Sequence, residues 1–125
     1  MEIINTPKAP AAVGPYSHAI IHNGTVFCSG QIPLDPATMQ LVEKTIAVQT
    51  KQVMANIKIV LEAAGSSLDK IIKTTVFLST MDDFVGMNEV YEAALNGHKP
   101  ARSAFAVGAL PKGALVEIEC IAALG

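Results

Sequence analysis

The chain has 125 residues, a length that fits one domain over residues 1–125. Its net charge is −2 and its pI about 5.8, with no long run of like charges, so the basic footprint on which nucleic-acid binding leans is missing. Half the residues are hydrophobic and 16% are charged, which is more apolar surface than so small a body has interior to hide, and this points to a homo-oligomer.

Met1 to Lys8 carries no signal-peptide pattern and no Arg. No apolar run reaches the roughly 18–20 residues needed to span a bilayer. Cytoplasm is the expected compartment, with the mitochondrion left open. Cys28 and Cys120 each sit in an apolar run and read as buried, reduced thiols. Their number and spacing fit neither a zinc site nor a disulfide framework.

The segment from Pro7 to Pro15 is rich in Pro, Ala and Gly and reads as an irregular lead-in. Ser17–Ile21 and Thr25–Ser29 read as strands. Asn23-Gly24 between them is a two-residue hairpin signal, because both residues tolerate positive φ. Asp35-Pro36 starts a turn over 34–40. The spacing of Val53, Ile57, Val60, Leu61 and Ala64 predicts a helix over 46–64, stopped by Gly65. A strand follows over 71–79, with Ile72, Thr74, Val76 and Leu78 on one face and Lys73, Thr75 and Phe77 on the other.

A second helix begins near Met81, where Thr80 and Asp83 resemble a capping box. Phe84, Met87, Asn88, Tyr91 and Leu95 form its stripe, and Asn96-Gly97 ends it. Ala101–Val107 is a strand, residues 108–113 a loop, and Ala114–Leu124 the last strand. The order β-β-α-β-α-β-β with hairpins at both ends gives an α+β domain: a mixed sheet with two helices on one face. The other face then needs a partner, a second argument for an oligomer.

If the last two strands pair as a hairpin, Arg102 falls opposite residues 117–119, and Arg102 and Glu117 look into one space. An arginine fork suits a carboxylate, and a glutamate beside it can take a proton from water. Spacing of this kind is more often an ordinary cross-strand ion pair on a solvated face. Tyr16, after Gly14-Pro15, either offers its phenol to a ligand oxygen or simply keeps it in water. Asn88, an amide on an apolar stripe, must be satisfied by backbone, by another subunit or by a ligand. His18, His22 and His98 have no metal-binding spacing and read as structural or exposed. No serine has a visible partner base, and no phosphate loop or dinucleotide fingerprint occurs.

Several segments together resemble the reactive intermediate deaminase (Rid, YjgF-type) family. They are Ala12-Val13-Gly14-Pro15-Tyr16-Ser17, Phe27-Cys28-Ser29-Gly30-Gln31-Ile32-Pro33, Gln52 to Ile57, Leu61 to Gly65, Val76-Phe77-Leu78, Phe84 to Asn88, Tyr91, Lys99-Pro100-Ala101-Arg102-Ser103, and Val116-Glu117-Ile118-Glu119. The resemblance runs from about residue 10 to the end. It implies a chorismate-mutase-like α+β fold and a homotrimer with sites between subunits. It implies hydrolysis of 2-iminopropanoate and 2-iminobutanoate to 2-keto acids and ammonia, without a cofactor or metal, protecting pyridoxal-phosphate enzymes from the enamine.

By matching position, the resemblance gives Arg102 the substrate carboxylate and Glu117 the attacking water. Tyr16 and Asn88 would line the pocket from different subunits, and Ser29 and Gly30 would form its wall. Ala104 stands where many relatives carry a cysteine, so no thiol acts there and only a backbone contact is expected. Two other readings attach to relatives of this kind: an endoribonuclease or translation inhibitor, and a non-catalytic, chaperone-like or ligand-sensing trimer.

Overall fold

The computed structural model describes residues 1–125. Its elements are β1 (Glu2–Ile4), β2 (Ala19–His22), β3 (Thr25–Gln31), α1 (Ile46–Ala63), β4 (Ile71–Leu78), α2 (Phe84–Leu95), β5 (Ala101–Ala106) and β6 (Val116–Ala123). The α+β expectation holds, with one short strand, β1, added at the start. Only three residues long, it carries too little alternation to be read from sequence. All strands form one six-stranded sheet in the order β1-β2-β3-β6-β4-β5.

Local signals account for most boundaries. Asn23 and Gly24 turn the β2–β3 hairpin with φ of 50° and 75°. Thr45 caps α1, its side chain accepting from the Val48 amide, a device worth about 1 kcal/mol. Gly65, at φ 86°, ends that helix, and the Ser66 amide returns to the Leu61 carbonyl at 2.8 Å. The capping box at α2 does not form. Thr80 instead caps a short 3-10 turn over Met81–Asp83 by accepting from the Asp82 amide, and Asp83 makes no side-chain cap. The aspartate side chain is one methylene shorter than the glutamate that box prefers.

The expected C-terminal hairpin is overturned. β5 runs parallel to β4, and β6 lies antiparallel to β4 on its other side, so β5 and β6 never touch as strands. Burial explains the choice. Val116, Ile118 and Ala122 are wholly buried and Cys120 nearly so, so this strand gains most with a neighbour on each side. β5 offers Ala101, Arg102 and Ser103, all exposed, and loses little at an edge.

The core lies between one sheet face and the two helices. Val26, Val76, Leu78, Val116 and Ile118 of the sheet meet Val53, Ile57, Leu61, Met87 and Leu95. Gly86 permits the close helix crossing, since an added Cβ there would stand 2.8 Å from Ile46 Cγ2. Ile72 leaves its expected face. A register shift between Ile71 and Lys73 puts it in solvent, while Thr74, Val76 and Leu78 stay inside.

The Thr50 hydroxyl is fully buried in α1 with no hydrogen-bond partner. Thr50→Val is therefore expected to raise the unfolding free energy by about 1 kcal/mol, since it removes an unsatisfied group and keeps the branched shape. Urea unfolding at constant m checks this, and a loss of stability would contradict it. On the opposite sheet face Ile3, Phe27 and Phe105 are 64%, 44% and 45% exposed, with Phe77 meeting Phe105 edge-on at 5.5 Å. No helix of the protein is long and apolar enough to cross a membrane.

Candidate active site

Register decides where each candidate side chain points. Arg102 and Cys120 both pair with Thr74, whose hydroxyl bonds Tyr91 of α2, so Arg102 lies on the helix side of the sheet. Glu117 pairs with Phe77, three residues along β4 from Thr74, and so lies on the open side. Within one chain Arg102 and Glu117 therefore occupy opposite faces, and the shared space expected from a hairpin does not exist. The expectation failed because β4 separates the two strands and shifts the alignment that set their faces.

Arg102 is held at the β5 edge by α2. Its Nη1 donates to Asn88 Oδ1 at 2.6 Å. Its guanidinium carbon sits 5.5 Å from the Phe84 ring centre and 5.1 Å from that of Tyr91. Tyr91 and Thr74 hydroxyls are 2.7 Å apart, and burial pushes the Tyr91 phenol above its ordinary range, so it stays protonated. Asn88 is thus satisfied by Arg102. Ala104 sits two residues on, on the same face and half-buried. Beside Arg102 a groove of about 470 Å³ continues past His98 and Lys99, with His98 pinned by the Ile71 carbonyl at 2.7 Å.

Tyr16, Ser29, Gly30 and Glu117 come together elsewhere, in a cleft of about 720 Å³ whose walls include Val13, Met39 and Lys112. The register shift between Cys28 and Gln31 lies at Ser29 and Gly30. The missing side chain of Gly30 leaves room for Glu117: a Cβ there would collide with Glu117 Oε2 and stand 3.0 Å from its Cδ. Burial raises the Glu117 carboxyl above the usual range, and the charge of Glu119 adds to it. Ser29 does not act freely, because its hydroxyl donates to the Ser17 carbonyl at 2.6 Å. The Tyr16 side chain is half-exposed at the cleft mouth. No group of three or more His, Cys, Asp or Glu side chains is placed to hold a metal ion.

The candidates thus fall into two groups. Arg102, Asn88 and Ala104 form one, and Tyr16, Ser29, Gly30 and Glu117 the other. Sequence reasoning did not single out Phe84 and Tyr91 as the aromatic bed of Arg102. Their signal was visible, since both lie on the α2 stripe that carries Asn88, at i, i+4 and i+7.

The family described as endoribonuclease L-PSP matches residues 6–124. A RutC family protein of Pyrococcus horikoshii is 52% identical over 97% of this chain and 96% of its own. A mouse protein named 2-iminobutanoate/2-iminopropanoate deaminase is 46% identical over 99% of this chain and 92% of its own. The crystal structure of Escherichia coli TdcF with bound serine superposes with a TM-score of 0.95 at 39% identity, covering 100% of both chains. The chain belongs to the endoribonuclease L-PSP family, the YjgF–RutC group of reactive intermediate deaminases that its sequence motifs resemble.

Proposed function

We propose that the protein hydrolyses 2-iminopropanoate and 2-iminobutanoate to the 2-keto acids and ammonia, in sites completed between the copies of a homotrimer, and so shields pyridoxal-phosphate enzymes from the enamine. The observation that carries this reading is the division of the candidate groups. A cation held ready for a carboxylate stands at the β5 edge, and a desolvated carboxylate stands in a cleft on the other face. Neither half suffices alone, and the apolar open face offers a surface through which a second copy can bring its Arg102 to this Glu117. The serine bound to TdcF is a molecule with the same carboxylate and α-nitrogen as a 2-imino acid. The naming of the mouse relative points to the same substrates.

In the reaction, Arg102 grips the substrate carboxylate through its fork, with Asn88 fixing the guanidinium plane. Glu117 takes a proton from water as its oxygen bonds to the imine carbon, and passes that proton to the nitrogen, giving a tetrahedral carbinolamine. A carboxyl held above its usual range suits both transfers. Glu117 then carries the carbinolamine hydroxyl proton to the nitrogen, and the C–N bond breaks as the C=O bond forms, leaving keto acid and ammonia. The substrate is already electrophilic, so positioning and proton transfer suffice and no cofactor is required.

The test is to generate 2-iminopropanoate in place with a serine-consuming dehydratase and trap what remains with semicarbazide. Less trapped imine with the wild type than without protein is expected. Equal trapping would refute the deaminase reading. Sedimentation in the same buffer should give a trimer, and a monomer at micromolar concentration would refute the shared site. Gly30→Ala should displace the Glu117 carboxylate and lower kcat/KM about tenfold, with little change in melting temperature because the colliding atoms belong to a flexible side-chain end. Undiminished turnover in that variant would show that the position of Glu117 is not critical.

A further inference from the structure

His18 is only 3% exposed, yet both of its ring nitrogens are engaged. The Thr6 amide donates to Nδ1 at 3.1 Å, so Nδ1 carries no proton. The ring is then the Nε2–H tautomer, which donates to the Pro10 carbonyl at 2.7 Å. The His18 backbone is fixed as well: its amide donates to Asn5 Oδ1 at 3.0 Å and its carbonyl accepts from the Ser29 amide at 3.0 Å. One side chain thus ties residues 6–10 to the start of β2, next to β3.

The tied segment runs directly into the wall of the Glu117 cleft, where Pro10, Ala11, Val13 and Tyr16 line it. Little else holds that wall. Within residues 11–16 the backbone hydrogen bond formed is the short one from the Tyr16 amide to the Gly14 carbonyl at 2.9 Å. Pro7, Pro10 and Pro15 have no amide to contribute.

A protonated imidazole has N–H donors on both nitrogens. Nδ1–H would then face the Thr6 N–H, donor against donor, at a position shielded from water. The titratable side chains on the segments packed nearby are Glu2 on β1, Lys8, Tyr16, Cys28 on β3 and Asp35 on the 34–41 turn. None of them hydrogen-bonds the ring.

We propose that His18 is a positioning residue and a proton-sensitive latch. Its neutral ring holds the segment from Thr6 to Tyr16 as one wall of the cleft, and its charged ring releases that wall. The consequence for turnover rests on the deaminase reading; the latch does not.

The test is amide hydrogen exchange over residues 3–17 in wild type, His18→Gln and His18→Ala, at about pH 7.5 and about pH 5. Gln offers an acceptor oxygen and an NH2 donor group and does not titrate, so it serves as rescue and as reference for the pH dependence of exchange itself. The Thr6 amide should exchange at the same rate in wild type and in the Gln variant at the higher pH. At the lower pH it should exchange about tenfold faster in wild type. His18→Ala should exchange rapidly at both. A constant ratio of wild type to Gln variant overturns the proton sensitivity, and an Ala variant protected like wild type overturns the latch.

Nitrogen-15 spectra of the wild type serve if the Gln variant does not fold. The ring should gain its second proton only together with loss of Thr6 protection, and a ring that charges while Thr6 stays protected overturns the proposal. Where deaminase activity is measured, the wild-type KM should rise several-fold in acid relative to the Gln variant, while the acid fall in kcat is common to both. Release of the segment without that split would overturn its role in the cleft. A protein that shows the exchange pattern and no deaminase activity would refute the proposed function and leave the latch standing.

Discussion

Arg102→Ala should lower kcat/KM for 2-iminopropanoate by about 10²–10³-fold, the equivalent of about 3–4 kcal/mol lost from a charged, forked contact to a carboxylate. Most of the loss is expected in KM, because the carboxylate is gripped in ground and transition states alike. A smaller loss in kcat follows from looser placement of the imine carbon against the water. The fold should survive. Arg102 is exposed on an edge strand, and its truncation leaves Asn88 Oδ1 free to bond water. The stability cost is the cation–π contact with Phe84 and Tyr91, about 0.5–1 kcal/mol at such a site. Arg102→Lys keeps the charge but not the fork, and should recover only part of the activity. Steady-state kinetics beside thermal melts decide the matter: full activity in Arg102→Ala would remove Arg102 from the site.

Glu117→Gln should reduce kcat by about 10²–10³-fold and change KM much less, because the amide fills the same space but takes no proton from water. The pH profile gives a second reading. Burial and Glu119 hold the Glu117 carboxyl above the usual carboxylate range. The wild-type kcat should therefore fall in acid at a higher pH than an ordinary glutamate would give, and this limb should vanish in the Gln variant. Stability should move the other way. A carboxyl with a raised folded-state pKa binds its proton more tightly in the folded chain. Its unfavourable contribution is therefore full above that raised pKa and fades as pH falls toward the ordinary carboxyl range. Glu117→Gln should accordingly be more stable than wild type at neutral pH, with the difference shrinking in acid. Melting curves across pH beside single-turnover rates check both, and a variant that turns over normally would exclude Glu117 as the proton carrier.

Glu117 and Gly30 depend on one another in a way that links fold to chemistry. The register shift after Cys28 lets the strand swing at Ser29 and Gly30, and the missing Cβ at Gly30 is the space the carboxylate fills. A side chain there would push the carboxylate toward solvent and relax the burial that raises it.

Much of the fold was legible in the sequence because its signals are local. The α1 stripe, its stop at Gly65, the Asn23-Gly24 hairpin and the left-handed end of α2 at Asn96 each depend on residues within one or two turns. The candidate residues were nameable for the same reason, because they stand in short contiguous motifs. What the tertiary structure decided was adjacency. Whether β6 pairs with β5 or slips between β3 and β4 cannot be read from either strand, since each alternates acceptably for both places. The choice follows from how much apolar surface each buries when flanked on both sides, a sum over the whole sheet. That choice put Arg102 and Glu117 on opposite faces, because one strand inserted between two others resets the register on which facing depends. The sequence by itself singled out the candidate residues; only the packed sheet decided that one chain holds Arg102 and Glu117 apart.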